Sequence, residues 1–104
     1  MPVADGTFHR DSANRIKAVF VIDEIQITFT GTVSPAMQPF TSNNAKITYG
    51  DVNELTATRT YLGRIGVNTF KLTFKNGPVI EGELNVPGIA PASTVNGSGA
   101  WESN

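Results

Sequence analysis

Apolar and polar residues alternate with a period of two along most of this chain, and no segment keeps a 3.6-residue period for three turns. Gly6 to Arg10 forms a short first strand on this pattern. Arg15 to Asp23 is an apolar run rich in β-branched residues, which predicts a strand covered on both faces. Ile25 to Val33 alternates cleanly, with Ile25, Ile27 and Phe29 inward and Gln26, Thr28, Thr30 and Thr32 outward. Asp23 and Glu24 alone separate the two runs. They form a tight hairpin or, failing that, a bulge in one long strand. Ser34 to Asn44 holds two prolines and ends in a polar cluster, so it reads as a loop across an open end, with Met37 and Phe40 as its plugs. A strand over Ala45 to Asp51 follows. Then comes Glu54 to Tyr61, which reads as a strand with Glu54, Thr56, Thr58 and Thr60 on one face and Leu55, Ala57, Arg59 and Tyr61 on the other. Gly63 and Gly66 mark the next turn.

Phe70, Leu72 and Phe74 share one face of a strand that must meet Ile80, Gly82, Leu84 and Val86 in the core. A two-residue turn at Asn76-Gly77 would place core side chains opposite solvent-facing ones, because a slip of one residue inverts a strand. An odd-length loop of three or five residues restores the match, and pairing Phe74 with Ile80 sets Lys71 opposite Glu83. The tail reads as a Pro/Ala/Ser/Gly-rich, flexible segment over 87–99, followed by Trp101 as an anchor for the last strand. Seven or eight short strands with mostly short connections predict a single all-β domain over 1–104, an antiparallel β-barrel or β-sandwich.

Composition narrows the function more than the fold. The 104 residues are 39% hydrophobic and 16% charged, with twelve threonines and a formal charge of −1. Charged residues in an ordinary domain reach about a quarter, so the composition leans towards strands and turns and against disorder, and the charge of −1 with no basic run gives no footprint for nucleic acid. It has no cysteine, which removes disulfides and thiolate metal sites. No apolar stretch is long enough to span a bilayer as a helix, and the N-terminus has no secretory h-region, so the expectation is a soluble chain, cytoplasmic if complete. A mature secreted form reads the same way.

Motifs for chemistry are sparse. With one histidine, His9, neither a two-histidine nor a three-histidine metal site fits within one chain. There is no nucleophile elbow, phosphate loop or dinucleotide fingerprint. No catalytic residue, metal ligand or cofactor is therefore assigned. Glu81 and Glu83 lie side by side on a strand and suit paired acids or calcium, but Lys71 and Lys75 give them ordinary cross-strand partners. Arg59 poses the sharper question, since an unpaired guanidinium on a buried face is costly. Its head reaches water at a strand end, pairs with Asp23, Glu24 or Asp51, or points with Tyr61 and Tyr49 into a pocket. The leading expectation is a non-catalytic binding module for a carbohydrate or a small amphipathic or anionic ligand. Its candidate residues are Arg59, Tyr61, Tyr49, Trp101, Asp51 and Asn53. The alternative is a structural or interaction protein that forms a homo-oligomer through a sheet face or edge strand, with the apolar run Ala18 to Ile22 as its support. A small barrel enzyme is third.

Overall fold

The computed structural model describes residues 2–85 and 88–103. Eight strands are present: β1 (Val3–Ser12), β2 (Arg15–Ile22), β3 (Ile25–Thr32), β4 (Thr41–Thr48), β5 (Thr58–Ile65), β6 (Thr69–Phe74), β7 (Val79–Glu83) and β8 (Ser93–Ser103). They close into an antiparallel barrel in the order β1, β2, β3, β8, β5, β6, β7, β4, and β4 returns to β1. Of the barrel and the sandwich, the barrel is the structure. Closure gives each strand two neighbours, so among the described residues no edge strand is free for pairing with a second chain.

Hairpins at alternate ends fix most of the order. The β1–β2 and β5–β6 turns lie at one end, here the upper, and the β2–β3 and β6–β7 turns at the lower. At the lower end Asp23 and Glu24 both take positive φ, 51° and 68°, as the central residues of a hairpin turn twisted to match its strands. The β6–β7 hairpin has an odd loop, as the hydrophobic parity requires. Its register is the shorter one: Leu72 faces Ile80, Phe70 faces Gly82 and Lys71 faces Glu81. Phe74 N bonds Pro78 O, and Gly77, at φ 122°, completes the three-residue turn. The expected pairing of Lys71 with Glu83 is thus displaced by two residues with every face preserved. Val86, expected in the core, lies outside the described residues.

Four expectations are corrected. Glu54 to Ala57 is not strand: Val52–Glu54 forms one 3₁₀ turn, Ala57 takes φ 63°, and β5 starts at Thr58. The reason is topological, because β4 and β5 are not neighbours and the chain must cross beneath β7 and β6 to join them. β2 is covered on one face only, with Ile16, Ala18, Phe20 and Ile22 buried and Val21 60% exposed. Finally, β4 starts at Thr41 rather than Ala45, and β5 runs through Gly63 to Ile65. The loop before β4 does cap the upper end as expected, with Met37 and Phe40 buried.

Inward side chains fill the barrel. Phe8, Phe20, Phe29, Tyr61 and Phe74 are fully buried, joined by Ile16, Ile47, Ile65, Leu72 and Ile80. Trp101, Phe74, Phe29 and Tyr61 form a connected set of tilted and edge-on rings, with centroids 4.9 to 6.1 Å apart.

Candidate functional site

Five of the six residues singled out from the sequence surround the lower end of the barrel. Asp51 caps the 3₁₀ turn, accepting from Asn53 N at 2.8 Å, while Glu54 accepts from Gly50 N at 2.7 Å. Asn53 is exposed beside it, and Tyr49 is buried where β4 ends. Trp101 docks against Phe29 and Phe74, at centroid distances of 5.0 and 5.4 Å, as an anchor for β8. Its Nε1 finds no acceptor among the described residues.

Arg59 points inward at the first turn of β5, half-buried, and its Nε donates to Thr56 O at 3.0 Å. The guanidinium therefore fastens the end of the crossover that covers the barrel. None of Asp23, Glu24 and Asp51 forms an ion pair with it. Tyr61, the sixth residue, lies deeper. Its hydroxyl donates to Thr32 O at 2.7 Å, and burial pushes the phenol well above its ordinary range.

The outer wall offers a different geometry. A groove of about 690 Å³ runs across β4, β7, β6 and β5, lined by Asn44, Lys46, Arg64, Lys71, Glu81 and Glu83. Register explains the arrangement. Lys46 faces Glu81, Glu81 faces Lys71, and Lys71 faces Arg64, making one transverse row of outward side chains. One step along the strands, Asn44 faces Glu83 and Glu83 faces Thr69. Gly66 also lines this groove and leaves the β5 side of the second row without a side chain.

Opposite charges sit next to one another here, yet the one ion pair among the described residues is at the margin, Lys46 Nζ to Asp5 Oδ1 at 3.8 Å. Arg64 and Lys71 are direct cross-strand neighbours of like charge, an arrangement that destabilises a sheet. Neither has a side-chain hydrogen-bond or ion-pair partner among the described residues. Three cations against one carboxylate give the row a positive side at β5 and β6.

Of these groove residues, the sequence reading marked Lys71, Glu81 and Glu83 as a solvated pair of faces. Arg64 is not among them, because Gly63 and Gly66 read as a turn. The signal was present: Tyr61, Gly63 and Ile65 alternate with Leu62 and Arg64. Among the described residues no cluster of His, Asp or Glu could hold a metal ion.

A second, shallower depression of about 380 Å³ lies over β3, β8 and β5 between Thr32, Leu62, Asn96 and Ser98. Tyr61 is the one residue of the sequence-derived six that lines either depression.

Fold and groove together define a small closed antiparallel barrel with a packed interior and a mixed-charge outer groove. No family model matches the chain, and no curated protein or solved structure matches it.

Proposed function

We propose that the protein is a non-catalytic binding module whose ligand is a small anion-bearing molecule held on the outer groove. The observation that carries this reading is the juxtaposition of Arg64 and Lys71. Two cations that face each other without partners repel, and an anion between them replaces that repulsion with two charge-assisted contacts. Arg64 supplies a planar fork and Lys71 a mobile point charge, a pairing suited to phosphate, sulfate or carboxylate. The carbohydrate-stacking form of the expectation has less support. All nine aromatic residues are buried, which leaves no ring on the surface for a sugar face.

Amide chemical-shift mapping during titration with sodium sulfate at low ionic strength tests the proposal. Saturable shifts are expected at Arg64, Lys71 and their strand neighbours. Arg64→Gln should weaken the affinity roughly tenfold, leave the melting temperature unchanged or slightly raised, and added chloride should weaken binding further. Absence of saturable shifts on this wall would refute the reading.

A second reading, self-association through a sheet face, draws on Val3 and Val21, which are exposed on the outer face at the lower ends of β1 and β2. A concentration-independent monomer mass by light scattering would exclude it.

A further inference from the structure

We infer that the ligand of this groove is a hydroxyl-rich molecule carrying one anionic group: a phosphorylated, sulfated or uronic sugar. The inference rests on the proposed anion site and adds the second row of groove residues to it. Side chains two apart on one face of a strand are separated by about 7 Å. The row of Asn44, Glu83 and Thr69 therefore runs parallel to the row of Lys46, Glu81, Lys71 and Arg64 at that spacing.

The two rows differ in chemistry. The first ends in an unpaired cationic pair. The second holds a carboxylate, a carboxamide and a hydroxyl, none of whose side chains has a hydrogen-bond partner among the described residues. An ionised carboxylate is purely an acceptor and takes hydrogen bonds from ligand hydroxyls, while the amide of Asn44 and the hydroxyl of Thr69 both donate and accept. A bare inorganic anion has no use for Glu83, which repels it. A hexose with its anionic group on an exocyclic carbon places that group at Arg64 and Lys71 and extends its ring hydroxyls over the second row. Gly66, lacking a side chain, leaves room on the β5 side for the ring.

A bulge in β4 adjoins this second row. The β1–β4 register shifts between Gly6, opposite Ala45, and Phe8, opposite Ser42, so β4 carries one extra residue at Asn43 and Asn44. Ser42 turns inward there, its Oγ donating to Glu83 O and accepting from Asn44 N. Asn44, one step from the buried Ala45, stays outward beside Glu83.

Calorimetric titrations of the intact protein at low salt with inorganic phosphate, glucose and glucose 6-phosphate test the inference. Glucose 6-phosphate should bind at least tenfold more tightly than phosphate, with glucose alone weakest. Glu83→Gln and Thr69→Val should erase that advantage while phosphate affinity stays the same or, for Glu83→Gln, rises. Parallel titrations with glucose 6-sulfate and glucuronate identify the preferred anion. Equal affinity for phosphate and glucose 6-phosphate would overturn the sugar inference and leave the anion site standing. Failure of phosphate, sulfate and all three anionic sugars would overturn both. Circular dichroism of each variant separates lost contacts from lost fold.

Discussion

Arg10 and Arg59 enter the barrel from opposite ends, and each fastens a crossover loop. Arg10 Nη1 donates to Met37 O at 3.2 Å above, and Arg59 Nε donates to Thr56 O at 3.0 Å below. Each guanidinium meets a backbone carbonyl, while Arg10 Nε is buried with no partner among the described residues. Arg59→Ala should therefore cost about 1 kcal/mol of stability, read by chemical denaturation, and leave sulfate binding at Arg64 unaltered. Loss of that binding would return Arg59 to the ligand site. Tyr61 carries a different signature. The folded protein holds the phenolic proton more tightly than the unfolded chain, in which tyrosine ionises near pH 10.0. Its contribution is thus complete below about pH 10 and falls as pH rises beyond that, because the unfolded state alone gains by ionising. Tyr61→Phe should lose about 1 kcal/mol at neutral pH with the bond to Thr32 O. The gap between wild type and variant should narrow in denaturation measured at about pH 11. A gap that stays constant would mean the hydroxyl is not buried.

The β6–β7 hairpin shows how far a sequence reaches at the level of an element. Burial on one face sets parity, so the pattern places Phe70, Leu72 and Phe74 inward, where all three are buried, but parity does not distinguish loops that differ by two residues. Gly77 at positive φ and the Phe74–Pro78 pairing make that choice. The stretch Glu54 to Tyr61 misled for the converse reason. Its alternation is real, and Leu55 and Tyr61 are both buried, yet a 3₁₀ turn and a left-handed Ala57 produce that burial over its first half. Period-two patterning records which side chains face the core and is silent about crossovers. The groove was hidden for a related reason, since Arg64, Lys71, Glu81 and Lys46 become neighbours through the register of four strands. The upper plug was legible because Met37 and Phe40 are large apolar residues stranded in a proline-rich loop. Phe40 packs on Phe8 at 5.1 Å and is as buried as a strand residue. Phe40→Ala should therefore destabilise by about 3 kcal/mol, measured in urea. A loss below about 0.5 kcal/mol, the size of a surface substitution, would show that the crossover does not seal the barrel.

Closing eight strands around so many aromatic rings requires places where no side chain stands, and β8 supplies them. Gly97 and Gly99 alternate inward with Val95 and Trp101, and Gly31 faces Gly99 across β3. A Cβ on Gly99 would meet the Phe29 ring at 2.8 Å, and one on Gly97 would meet Thr32 O at 2.0 Å and the Tyr61 hydroxyl at 2.9 Å. The space over Gly97 is thus where Tyr61 passes to reach Thr32 O. There the β3–β8 ladder is bridged by a side chain, with Thr32 Oγ1 accepting from Ser98 N at 3.2 Å and donating to Ser98 O at 3.2 Å. Closure of the ring at β3, β8 and β5 therefore depends on Gly97. Backbone oxygen cannot swing aside as the end of a flexible side chain can, so Gly97→Ala must push the two strands apart or displace Tyr61. A loss of about 3 kcal/mol is expected, with faster hydrogen exchange concentrated at β8 and the facing amides of β3 and β5. Ser98→Ala, one residue away, is the control and should stay within about 0.5 kcal/mol. If Gly97→Ala were as mild as Ser98→Ala, β3 and β8 would be less closely joined than the closed ring requires, and the barrel would be open along that seam.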